Sequence, residues 1–172
     1  MSNRLLHHSI LQKLGILLIG CCALLPSRLI GQNIDALDAQ GGFFDLVLGS
    51  DISTFNNIDK KGSQLKRDRY RWKTCPRTYA GVRISGVELY FYKSRLHSLV
   101  ISIQGETDSK AFLELLTMYY GPGTQLGMAP HFTWSGKQVR LVYEQNLFSK
   151  NTLIVFESVE VQLIYSQDYR IN

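Results

Sequence analysis

Beyond residue 31 the sequence holds one cysteine, Cys75, and two histidines, His97 and His131. A lone cysteine excludes an intrachain disulfide there, even in an oxidising compartment. Neither CxxC nor HExxH spacing occurs, so the donor sets that mark a zinc site are missing. A glycine-rich phosphate loop and a repeating strand–helix–strand pattern are also missing, and no cofactor or metal is expected. The longest uncharged apolar run, 14–25, has 12 residues. A helix needs roughly 20 to span a bilayer comfortably.

That run does have a meaning. Arg4 and Lys13 precede it, which is the positive-then-apolar order of a secretory signal. Residues 1–31 therefore read as a signal peptide, with export to the periplasm, the cell envelope or the outside. Two processing routes stay open. Gly31 offers a small residue for cleavage, leaving Gln32 first. Alternatively, Leu18-Ile19-Gly20-Cys21 resembles a lipoprotein signal, in which Cys21 is lipidated and supplies a membrane anchor. Arg4, Lys13 and Arg28 all fall in the segment, so its removal lowers the net charge from +5 to +2. So small an excess concerns solubility and argues against specific nucleic-acid binding.

The remainder divides into a flexible leader, 32–42, and a single domain, 43–172. Residues 43–48 are apolar and predict a first strand. Ser50 or Asp51 can cap a short helix carrying Ile52, Phe55 and Ile58 on one face. Within 60–73, seven basic residues accompany Asp68, and Tyr70 and Trp72 alternate with Arg69, Arg71 and Lys73. This is a half-buried strand with a solvated basic face, or else a contact for an anionic surface. Val87, Leu89 and Phe91 alternate with Glu88, Tyr90 and Tyr92. After Lys93-Ser94, the run Leu96, Leu99, Ile101, Ile103 completes a predicted hairpin. Phe112, Leu115, Leu116 and Tyr119 predict a helix over 109–120, ended by Gly121-Pro122-Gly123. A second hairpin is expected from 132–134 to 139–144, then a strand at 153–156 and a tail, 157–168, leaning to helix. The fold class that follows is α+β: an antiparallel sheet of five or six strands packed against one main helix, with a short N-terminal helix.

Four short segments resemble small exported domains of Bacteroidetes-type bacteria, most of them without an assigned activity: Phe44-Asp45-Leu46-Val47-Leu48-Gly49, Tyr90-Phe91-Tyr92-Lys93, Tyr120-Gly121-Pro122 and Trp134-Ser135-Gly136-Lys137. The layout is also similar, at a distance, to beta-lactamase-inhibitor-protein-like and outer-membrane assembly lipoprotein domains. That resemblance implies a protein-binding or scaffold role.

Catalysis would need a nucleophile, a base and a stabiliser of developing charge. The candidates are His97 or His131 with a carboxylate, or Glu144 paired with Glu157 or Asp108. No spacing demands either, and each histidine reads better as a surface or locally hydrogen-bonded side chain. The candidate binding surface is Tyr90, Tyr92 and Tyr143 on a face opposite the apolar one, with Arg69, Arg71 and Lys73 at its rim. Ordinary burial of those tyrosines is the competing reading. The expected role is a noncatalytic binding or scaffold domain of the bacterial cell envelope. Its partner would be another envelope protein before a glycan, with membrane attachment only through a lipidated Cys21. The alternatives are a small envelope hydrolase using a histidine–carboxylate pair and a purely structural domain.

Overall fold

The computed structural model describes residues 31–170; the expected signal peptide up to residue 30, Cys21 included, lies outside the described residues. The helices are α1 (Ile34–Gln40), α2 (Glu106–Tyr120) and α3 (Val159–Arg170). The strands are β1 (Gly42–Phe43), β2 (Leu46–Val47), β3 (Ile58–Gln64), β4 (Arg67–Trp72), β5 (Thr78–Tyr79), β6 (Val82–Arg83), β7 (Gly86–Tyr92), β8 (Arg95–Ile103), β9 (Thr124–Gln125), β10 (His131–Ser135), β11 (Val139–Gln145) and β12 (Thr152–Ser158). Eight strands form one antiparallel sheet in the order β3-β4-β7-β8-β12-β11-β10-β9. The expected α+β class and antiparallel sheet are present, but the sheet has eight strands, not five or six, and three helices are described.

The central hairpin forms where alternation predicts it. Val87, Leu89, Leu99 and Ile101 are at most 1% exposed. Lys93 and Ser94 both take positive φ, 46° and 63°. Two left-handed residues give the turn the twist that matches its strands, although neither is glycine or asparagine. Phe91 faces Leu96 and Tyr90 faces Ser98, so His97 is an extra residue in a bulge.

β12 returns to lie between β8 and β11 after the chain has made α2 and the β9–β11 meander. The core lies on the α2 side, where Phe112, Leu116 and Tyr120 meet Leu99, Ile101, Leu141, Ile154 and Phe156. The buried spacing on α2 is therefore four and four. Tyr119, expected in the stripe, is 44% exposed. Ser109 is buried, and its hydroxyl donates to the Lys150 carbonyl at 3.1 Å.

Three local expectations are corrected. Residues 43–48 make a tight two-strand hairpin around Phe44 (φ 54°), not one strand. The helix expected through Ile58 is a 3-10 turn, Ile52–Thr54, capped by Asp51, and Ile58 already belongs to β3. The leader expected at 32–42 forms α1, whose Leu37 is fully buried. Asp38 of that helix accepts the backbone N–H groups of Lys137, Gln138 and Val139 at 2.8, 2.9 and 3.0 Å, which ties α1 to the β10–β11 turn. The tail is helical, as it leans in the sequence: β12 runs to Ser158, whose hydroxyl accepts the Val161 N–H at 3.3 Å as α3 begins. No helix among the described residues is long and apolar enough to cross a membrane.

Candidate functional site

The sheet face opposite α2 is only half covered. Strand pairing sets its rows. Arg140, Glu157, Ser98, Tyr90 and Arg69 stand side by side, and two residues along stand Val142, Val155, Val100, Glu88 and Arg71. α3 covers the end of the face beyond the first row, where Tyr92 and His97 stand. The Tyr165 ring packs against Tyr92 and His97, with centroids 5.1 and 5.4 Å apart. Asp168 accepts the Tyr92 hydroxyl at 2.5 Å and pairs with Lys93 at 2.7 Å. Arg95 grips Glu160 through two bonds of 2.7 and 2.9 Å. The second row keeps its valines half-buried, and Leu153 beside them is 48% exposed.

A cleft of about 480 Å³ opens at the uncovered end, lined by Arg71, Lys73, Cys75 and Arg77 and by Gly86, Glu88, Ser102 and Leu153. It exists because β4 leaves β7: their pairing stops at Arg71 and Glu88. The departing chain is pinned rather than loose. The Lys73 N–H donates to the Asn57 carbonyl at 2.8 Å, and the Ile84 N–H donates to the Arg77 carbonyl at 2.9 Å. Ser85 then anchors the return with its N–H and hydroxyl on the Ser102 carbonyl, 2.9 and 2.8 Å. Gly86 leaves the floor hollow; no atom lies within 4 Å of where its Cβ would stand.

The electrostatics of the cleft are one-sided. Among the described residues no carboxylate lies within 4.0 Å of the Arg71, Lys73 or Arg77 side chains. Asp59, which faces Arg71 across the β3–β4 pair, is bonded by Lys61 at 2.6 Å, and that bond above all holds its carboxyl below the usual range. Glu88 accepts the Tyr90 hydroxyl at 3.1 Å and lies 3.9 Å from Arg69. Burial first, and Glu88 second, push the Tyr90 hydroxyl up. Burial likewise pushes the Cys75 thiol up, so it stays neutral and donates to the Pro76 carbonyl at 3.4 Å.

No family model, curated protein or solved structure matches this chain. The site is therefore judged on its geometry.

Arg71, Lys73 and Glu88 line the cleft, and Arg69 and Tyr90 stand beside it on the same face. Tyr92 is on that face too but lies under α3, 5% exposed. Tyr143 does not join them. It is 1% exposed on the α2 side, and its hydroxyl donates to the Ser109 carbonyl at 3.1 Å. Parity along β11 carries this, since Val139, Leu141 and Tyr143 share one face. An open three-tyrosine face is thus not formed.

Each candidate histidine stands beside a carboxylate: His97 Nε2 lies 3.8 Å from Glu157, and His131 faces Glu144 across the β10–β11 pair. His97 is fully buried, with Gln162 on one ring nitrogen and Ser98 on the other. Asp108 is bonded by Arg83 at 2.8 Å on α2. Glu157 lies four residues along β12 from Leu153, the partner of Glu144. That is about 13 Å of strand, beyond the carboxylate spacing of glycosidases. Arg77, Asn151 and Leu153 escape sequence reasoning because they reach the cleft from separate loops and strand ends. The one local hint is an arginine just after Cys75-Pro76.

Proposed function

We propose that this domain is a noncatalytic binding or scaffold module of a bacterial cell envelope, exported by its N-terminal segment and engaging its partner on the uncovered half of the sheet. The carrying observation is that half-face itself: half-buried valines and exposed Leu153 flanked by three cations without an ion-pair partner among the described residues. Apolar contact at the centre with charge at the rim is the usual anatomy of a protein interface. The burial of His97 beneath Gln162 supports this reading over a hydrolase that uses His97, because a sealed imidazole offers no base to a substrate. The proposed kinship with envelope protein-binding domains draws on the same sheet-and-helix layout.

The test places a photo-crosslinking residue at Leu153 or, as control, at Glu114 on the exposed face of α2. A discrete envelope adduct from position 153 alone is expected. Equal labelling from both positions would refute the surface. Intact-mass measurement from the native host should show loss of about 20 or 31 residues, as signal removal requires; a cytoplasmic protein retaining Met1 or Ser2 would refute export.

A further inference from the structure

We propose that the cleft between the end of β4 and the starts of β7 and β12 binds a small soluble polyanion: a molecule with two or more ionised carboxylate or phosphate oxygens beside a short apolar body. This rests on reading the uncovered sheet face as a binding surface and specifies the chemistry of its deepest part. The first support is charge. Arg71, Lys73 and Arg77 line one hollow, and the backbone of each is fixed by a strand pairing or by a hydrogen bond to another segment. An exposed cation attracts a single charge by only about 1 kcal/mol in water. Three acting on one ligand add their attractions, and this favours a multiply charged group over a monoanion. The one acid on the wall, Glu88, is occupied by Tyr90 and Arg69. The neutral Cys75 thiol adds no opposing charge.

The second support is the rest of the lining. Asn151 spends its side-chain oxygen on the Gly105 N–H, 3.1 Å away, which leaves its amide N–H groups to donate. Leu153 offers an apolar surface, and the absent side chain at Gly86 leaves the room. A volume of about 480 Å³ suits a small molecule rather than a folded domain.

The test titrates the purified full-length protein with inorganic pyrophosphate, citrate and acetate at low salt, by calorimetry and by amide chemical shifts. Pyrophosphate or citrate should bind saturably at one site, roughly tenfold or more tighter than acetate. Arg71→Ala and Arg77→Ala should each weaken binding about tenfold. Lys137→Ala, at the opposite end of the sheet, should leave it unchanged. Melting curves check folding, and should Arg71→Ala melt early, Arg77→Ala alone decides. Non-saturable binding, or equal weakening by Lys137→Ala, overturns the proposal. So does binding to phosphatidylglycerol vesicles in place of the free anions, which would assign a lipid surface. If no anion binds while the Leu153 adduct still forms, the polyanion fails and the interface stands; if neither occurs, both fail.

Discussion

His97 Nε2 lies 2.5 Å from Gln162 Oε1, so the bulged residue of β8 is bonded directly to the C-terminal helix. A glutamine oxygen only accepts, so Nε2 carries the proton and Nδ1 accepts from Ser98 at 3.1 Å. Burial dominates the ring and lowers its pKa. Gln162 and the Glu157 carboxylate, 3.8 Å away, work in the other direction, and Arg67 adds to the lowering. The Arg67 guanidinium sits over the rings of Tyr90 and Tyr165, and Tyr92, Tyr165 and Asp168 complete the charged and titratable surroundings.

The pH dependence follows from that direction. Above the unfolded value near 6.5, His97 is neutral in both states and its contribution is complete. As pH falls through 6.5 towards the lower folded value, the unfolded chain takes up the proton first and stability is lost. Urea midpoints between pH 8 and 5 should therefore decline in the native protein. His97→Leu should flatten that part of the decline. At pH 8 it should also be about 1–3 kcal/mol less stable, because Gln162 and Ser98 lose their partner. A variant retaining the full decline between pH 7 and 5.5 would contradict this account.

Asp38 predicts a different response. Burial works to raise its carboxyl, but the N–H groups of Gln138, Lys137 and Val139 outweigh it, and the pKa is lowered. Asp38→Ala leaves three donors without an acceptor and frees α1 from the turn. A loss of about 1–2 kcal/mol is expected, with faster amide exchange at 137–139. Unchanged exchange there would count against the tether.

What the sequence made legible is what carries a repeating apolar signal. β11 alternates, as do β7 up to Phe91 and β8 from Leu99 to Ile103, and α2 has a buried stripe closed by Gly121-Pro122-Gly123. β3 carries no such signal. Beyond Ile58 it reads Asp-Lys-Lys-Gly-Ser-Gln, polar on both faces, and the neighbour it pairs with is β4. α1 is seven residues long with one buried side chain, too short for a periodicity. The basic strip was visible as composition. Its convergence with Arg77 and Asn151 was not, because that depends on where β4 departs from β7 and not on any local spacing.

Tyr143 and Tyr90 separate burial from surface. Tyr143→Phe removes the bond to the Ser109 carbonyl and should cost about 1 kcal/mol. Tyr143→Ala opens a cavity in the core and should cost about 3–5 kcal/mol. Tyr90→Phe, which removes only a hydroxyl bonded to Glu88 near the surface, should cost less than about 1 kcal/mol. Thermal melting should show the largest loss for Tyr143→Ala, a smaller one for Tyr143→Phe and the smallest for Tyr90→Phe. A Tyr143→Ala variant as stable as Tyr90→Phe would contradict the core position of Tyr143.

Cys75 tests the cleft wall itself. It has no cysteine partner among the described residues, it is half-buried, and burial raises its thiol pKa. Cys75→Ser should therefore lower stability by no more than about 1 kcal/mol, the usual size of one exchanged polar contact, under reducing and non-reducing conditions alike. Large-scale unfolding of that variant would contradict this. The thiolate is the reactive form, so a disulfide reagent should label Cys75 more slowly than a free thiol at neutral pH. Unfolding in urea should restore the ordinary rate. Pyrophosphate bound among Arg71, Lys73 and Arg77 would slow the folded-state reaction further, by occupying the hollow and by disfavouring a second negative charge beside it. Labelling at the free-thiol rate in the folded protein would mean that the 73–77 loop stands open, and the pinned wall on which the cleft depends would not exist.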